Sequence, residues 1–221
     1  MIHESKGNMY TWLTHTWNTI KGECPHGCTY CYMKRWGKQK PVRFDKSELK
    51  ADLGSGNFIF VGSGCDMFAN DIPPVWVIRT LNHCEKSKNS YLFQTKNPKA
   101  YSEYAVYIAA LNDFVLCTTI ETNRFYPEIM KNSPKPIERA LAMDKLAYTK
   151  RYLTIEPIMD FDLSDLIELV KFCHPKQVNI GADSGNNHLP EPSKEKILAL
   201  IDELKKFTVI DQKRNLTRLL K

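Results

Sequence analysis

The chain has 221 residues, 43% of them hydrophobic and 25% charged, with a formal net charge of +6. That length suits one domain spanning 1–221 with a proper core, and the composition is ordinary for a soluble globular protein. No stretch nears about 18 apolar residues and no charged-then-apolar leader opens the chain. These features argue against a membrane partner and lead us to expect a cytoplasmic protein, whose mild positive charge permits a polyanionic partner without demanding one.

Tyr10 to Ile20 is rich in β-branched and aromatic types and reads as a first strand leading into a cysteine loop. The loop is Cys24-Pro25-His26-Gly27-Cys28-Thr29-Tyr30-Cys31-Tyr32-Met33, and a short helix from Thr29 to Trp36 is expected after it, ended by Gly37. Lys34 to Lys50 then carries seven basic residues, with Trp36 and Phe44 interleaved. Such a segment can hold a nucleic-acid backbone and stack a base, or simply be a solvated face.

Asn57 to Val61 is a buried-type strand ending in the glycine-rich turn Gly62-Ser63-Gly64-Cys65-Asp66, where backbone can approach a ligand closely. Pro73-Pro74 opens a helix. Ser90 to Gln94 is a third strand, ending in Thr95-Lys96, and Pro98 starts the next helix. Asp113 to Ile120 is a fourth strand ending in Glu121, followed by a helix over Pro136 to Tyr148. Arg151 to Ile155 is a fifth strand ending in Glu156-Pro157, and its helix has Ser164 as a candidate N-cap. Gln177 to Ile180 is a sixth strand ending in Gly181-Ala182-Asp183-Ser184-Gly185-Asn186, and a last helix leads to a short strand, Phe207 to Asp211, and a basic tail.

Strand, polar loop and helix recur about six times, which predicts parallel βαβ units. The expected fold class is α/β, a partial (β/α)6-type TIM barrel that curves without closing. Ligands of such bodies sit at the carboxyl ends of the strands. The candidates there are the cysteine loop, Ser63, Cys65, Asp66, Thr95, Lys96, Thr119, Glu121, Glu156, Asp183, Ser184 and Asn186. Turn formation alone accounts most readily for the last three.

Three cysteines at C-x3-C-x2-C spacing offer soft thiolates that suit iron–sulfur clusters and zinc. A zinc site would take His26 or a distant residue as fourth ligand, but no second CxxC or HxxxH pair completes one. Seven cysteines, an odd number, do not make a disulfide framework. A cluster held by three cysteines keeps one iron free to bind and activate a small molecule. The remaining Cys65, Cys84, Cys117 and Cys173 are scattered, so one cluster is expected and most of these should be core residues.

The motif resembles that of the radical S-adenosyl-L-methionine (radical SAM) superfamily, including an aromatic residue, Tyr30, before the third cysteine. Over most of its length the chain is similar to two branches: a phage-associated group of radical SAM-like proteins and, more distantly, spore photoproduct lyase. TWN before the cysteines, FVGSGCDMF, FQTKNP, TIET, LTIEP and GADSG carry the first likeness. The resemblance implies a 4Fe-4S cluster on Cys24, Cys28 and Cys31, with Tyr30 against the SAM adenine. It places Ser63, Gly64, Cys65 and Asp66 at the SAM turn, Lys96 and Thr119 on the SAM carboxylate, Glu121 on the ribose, and Arg139 and Glu156 among the cofactor-binding residues. Ser63 matches the position of the lyase's hydrogen-donating cysteine, so that donor has no counterpart in register. The implied chemistry is reductive cleavage of SAM to methionine and a 5′-deoxyadenosyl radical that takes a hydrogen atom from the substrate. An external flavodoxin- or ferredoxin-like electron donor is implied as well. Three functions remain in play: a radical SAM enzyme on a nucleic acid or nucleotide, one on a small metabolite or peptide, and a non-enzymatic metal-bearing nucleic-acid module.

Overall fold

The apolar runs of the sequence become a single sheet of eight strands in a computed structural model that describes residues 1–221. The strands are β1 (His3–Glu4), β2 (His15–Trp17), β5 (Phe58–Val61), β6 (Ser90–Thr95), β7 (Asp113–Thr119), β8 (Arg151–Ile155), β9 (Gln177–Ile180) and β10 (Val209–Gln212), in that spatial order. Between β2 and β5 the chain forms a separate two-stranded ribbon of β3 (Ile20–Lys21) and β4 (Arg43–Phe44). From β2 to β10 every pairing in the large sheet is parallel, and β1 adds an antiparallel edge. The sheet's two edges, β1 and β10, are not paired with each other, so the barrel stays open as expected.

Helices α1 (Pro74–Glu85), α2 (Ala100–Glu103), α3 (Ala105–Ala109), α4 (Pro127–Met130), α5 (Pro136–Asp144), α6 (Leu163–Cys173) and α7 (Lys194–Leu204) supply the crossovers. Proline opens α1, α4 and α5, where its missing N–H costs nothing.

The period-2 alternation of strand side chains divides them between two environments. Ile59, Val61, Tyr91, Phe93, Leu116, Leu153, Ile155, Val178 and Ile180 belong to the large core that includes the helices. Phe60, Leu92, Val115 and Cys117 point the other way and join a second cluster with Tyr10 and Leu13. Leu92, Val115 and Tyr152 give way to Gln94, Thr119 and Glu156 toward the carboxyl ends. The barrel interior is therefore apolar at one end and polar at the carboxyl ends of the strands.

Several expected boundaries move, each for a physical reason. Tyr10 to Ile20 is not one strand. Only His15–Trp17 pairs with the sheet, because Tyr10, Trp12 and Leu13 fold inward to fill the barrel, with Trp12 packed on Phe58 and Tyr152. The helix after the cysteines is a single 3₁₀ stretch, Tyr32–Trp36, ended at Gly37 with φ 81°. The helix after Pro98 breaks at Tyr104 into α2 and α3, and α5 stops at Asp144 rather than Tyr148. The final strand starts at Val209 rather than Phe207. Ser164 does not cap α6. Asp162 stands at that position, its carboxylate taken by Arg124 and Asn123, while Ser164 bonds Asp165. No helix is long and apolar enough to cross a membrane.

Candidate active site

A cavity of about 930 Å³ opens at the carboxyl ends of the parallel strands, a size typical of small-molecule sites. Cys24, Cys28, Cys31 and Tyr30 line it, as do Ser63, Gly64, Cys65, Asp66, Lys96, Thr119 and Glu156. Most of the residues singled out in the sequence are thus gathered around one space. Asp183 and Ser184 line it too, but Asn186 does not.

One buried carboxylate ties the cysteine loop to the sheet. Asp66 Oδ2 accepts from His26 Nε2 (2.9 Å), Thr95 Oγ1 (2.8 Å) and the Lys96 backbone N–H (2.9 Å), and Oδ1 accepts from the Phe68 N–H (3.0 Å). Burial alone would raise the Asp66 pKa, but His26 and these donors hold it below the usual carboxylate range. Asp66 is therefore a clamp between the loop and the ends of β5 and β6, and not a free ligand.

The thiols line the same cavity but face separate partners. Cys28 donates to the Met130 carbonyl (3.7 Å) and to Ser133 Oγ (3.9 Å). Cys24 lies against Cys65. The neighbouring Cys65 thiol pushes the Cys24 pKa down, while Cys24 and burial push Cys65 up. No three His, Cys, Asp or Glu side chains stand in a ready-made metal cage in this arrangement. The donor set nonetheless fits an iron–sulfur cluster, with three free thiols on one short loop opening on a cavity with room for a second ligand.

The turn after β5 needs Gly62, whose φ is +82° and where a Cβ would stand 3.3 Å from the Cys65 carbonyl oxygen. Gly64 has no such requirement, since a Cβ there meets its nearest atom at 3.5 Å. Asn18 Oδ1 accepts from the Gly64 N–H (2.8 Å), and Asn18 Nδ2 donates to Ser63 Oγ (3.1 Å). Tyr32 also donates to the Ser63 carbonyl. Asn18 and Tyr32 are site residues that the sequence reading left unassigned, although Asn18 stood within the TWN run.

Behind the wall, Arg139 is fully buried. Its guanidinium donates to Glu121 Oε2 (2.8 Å), the Thr119 carbonyl (2.8 Å), the Pro134 carbonyl (2.6 Å) and Ser133 Oγ (3.1 Å). Glu121 is fully buried as well, and Tyr30 and Lys96 donate to its other oxygen. Both oxygens are engaged and Glu121 does not line the cavity, so it is not disposed for the ribose contact that the resemblance implied. It positions Tyr30 and Lys96 instead. Burial works to raise the Glu121 pKa, but Arg139 and then Lys96 outweigh it and hold the group to about 2. Lys96 stays 17% exposed, with its ammonium 5.1 Å from the centre of the Tyr30 ring.

The basic segment divides. Lys34, Arg35, Trp36 and Lys38 border the main cavity, and Lys38, Lys40 and Arg43 line an adjoining one of about 470 Å³ with Lys21. Trp36 is 58% exposed, with the Arg35 guanidinium 4.0 Å from its ring centre. Phe44 is not free to stack on a base. It packs against Trp76 at 5.9 Å under Arg79, because β4 pairs with β3 and turns that side inward.

No family model matches the chain, and no curated protein sequence does. Among solved structures, its open, mostly parallel α/β barrel matches a known fold. The particular likenesses are to spore photoproduct lyase. A cysteine-to-serine mutant of that enzyme matches with TM-score 0.61 at 11% identity, over 94% of this chain and 79% of the other. A tyrosine-to-phenylalanine mutant matches with TM-score 0.60 at 9% identity, over 92% and 78%. A form with bound AdoMet and dinucleoside spore photoproduct matches with TM-score 0.56 at 12% identity, over 91% of this chain and 64% of that one.

Proposed function

We propose that the chain is a radical SAM enzyme acting on a nucleic acid or nucleotide. The observation that carries this reading is one cavity, at the carboxyl ends of a parallel partial barrel, lined by three close thiols, Tyr30, Lys96 and a basic aromatic rim. Cys24, Cys28 and Cys31 are the residues that would hold the cluster. When bound, the cluster supplies the electron that cleaves SAM.

The chain's own groups then divide the remaining tasks. Because Arg139 already balances Glu121, Lys96 leaves the trio with a net positive charge suited to the SAM carboxylate, and Thr119 also lines the wall. Glu121 and Arg139 hold Lys96 and Tyr30 in place from behind. The barrel walls keep water from a reactive intermediate. Support for a nucleic-acid substrate comes from Lys34, Arg35, Trp36 and Lys38 at the cavity's edge, and from the dinucleoside ligand of one structural relative. With Ser63 where that enzyme family has its hydrogen-donating cysteine, the reaction is not expected to be dimer reversal by the same donor.

The test is anaerobic incubation of reconstituted, reduced protein with SAM, with and without a single-stranded oligonucleotide, assaying 5′-deoxyadenosine. The reading predicts formation of this product and its stimulation by the oligonucleotide. Stimulation by small peptides or metabolites instead would move the substrate to that class.

A further inference from the structure

The wall built by the last strands carries a charged pair that the reaction scheme above leaves unused. Lys213, just beyond β10, turns back over the barrel end and its side chain is 7% exposed. Its ammonium donates to Glu156 Oε2 at 2.6 Å and sits 4.5 Å from the centre of the Tyr10 ring. The other Glu156 oxygen accepts from Asn8 Nδ2 (2.8 Å) and Asn215 Nδ2 (3.0 Å). Ser184 Oγ lies within reach of both amides, at 3.4 Å and 2.9 Å. An early segment of the chain and a late one therefore meet on a single carboxylate at the end of β8. Gly181 makes room for this, since a Cβ there would stand 2.8 Å from the Glu156 carboxyl and 3.0 Å from Asn215.

A buried ion pair roughly breaks even against apolar packing, so stability alone does not account for it. Asn8, Glu156, Ser184 and Lys213 all line the cavity, and Lys213 has only one hydrogen-bond partner for its three donor protons. Glu156 cancels the lysine's charge at contact distance. An approaching anion would meet both signs together, whereas an uncharged acceptor gains a strong donor without repulsion.

We propose that Asn8, Glu156, Ser184 and Lys213 form a subsite for the uncharged, carbonyl-bearing part of the substrate, the edge of a nucleobase, with Lys213 as the donor. This rests on the nucleic-acid reading and adds a division of labour to it. The basic rim takes phosphates, and the neutralised pair takes the base.

The experiment measures the affinity of a fluorescent twelve-nucleotide single strand of mixed sequence for the reconstituted protein over a salt series. Lys213→Met, which keeps the stem, should weaken binding about ten-fold at every salt concentration. The slope of log K against log salt should not change, because no phosphate contact is lost. Lys213→Arg keeps a donor and should stay within about three-fold of the parent, which separates a lost donor from a lost fold. Unchanged affinity in Lys213→Met overturns the proposal, and so does a slope flatter by about one unit, the sign of a phosphate contact. If the parent binds the strand with steep salt dependence while Lys213→Met matches it, only the subsite fails. If the parent binds no strand at all, the nucleic-acid reading falls with it.

Discussion

Lys96 stands between two demands, since one partner, Glu121, is wholly buried while its own ammonium remains open to the cavity. A charge-assisted bond to a carboxylate contributes about 1.5–3 kcal/mol. Lys96→Ala should therefore weaken SAM binding roughly ten- to a hundred-fold in calorimetry while cluster absorbance is retained. Unchanged affinity would remove Lys96 from the site. Glu121 makes a different statement. Its pKa of about 2 in the folded chain lies below its ordinary 4.5, so the ionised form stabilises the fold above about pH 4.5. That contribution disappears as pH falls toward 2. Glu121→Gln leaves Arg139 buried without its counter-charge and should cost about 3–5 kcal/mol near neutrality. The gap between variant and parent in urea unfolding should narrow between pH 4.5 and 2, and a gap independent of pH would contradict this account.

Elements differ in how much of them the sequence declared. The strands β5 to β9 were legible because each is a run of apolar and β-branched residues between turn signals. Their polar ends were legible because parallel sheets bind ligands there. The first strand was not, since Tyr10, Trp12 and Leu13 satisfy a strand pattern locally yet are drawn inward by the apolar floor of the barrel. Phe44 likewise read as an exposed aromatic until the β3–β4 ribbon turned it onto Trp76. The segment between β2 and β5 remains the rim. Lys38, Lys40 and Arg43 share one recess, so neutralising all three should flatten the salt slope of oligonucleotide binding by up to about three units, near one per lost contact. Phosphate contacts position without specifying sequence, so the effect should hold for any strand tested. An unchanged slope would reduce the segment to a solvated face.

At the scale of the whole molecule, the site is completed by contacts that no local pattern announces. Arg139 reaches Glu121 from a helix, Asn8 crosses to the end of β8, and Lys213 folds back from beyond the last strand. The last two pairings join residues 148 and 57 positions apart that the curved sheet brings together, whereas Arg139 and Glu121, 18 apart, meet within one strand-to-helix crossover. Arg139 was visible beforehand only through the family resemblance, while Asn8 and Lys213 gave no signal at all. The cysteines are the opposite case, their ligand spacing written in a single loop. The central claim therefore rests on them, and one measurement tests it most directly: 5′-deoxyadenosine formed from SAM by anaerobically reconstituted, reduced protein. The parent, and variants with Cys84 or Cys173 replaced by alanine, should all form it, and the Cys24/Cys28/Cys31 triple alanine variant should form none. Formation by the triple variant, or none by a parent that carries its cluster, would contradict the account.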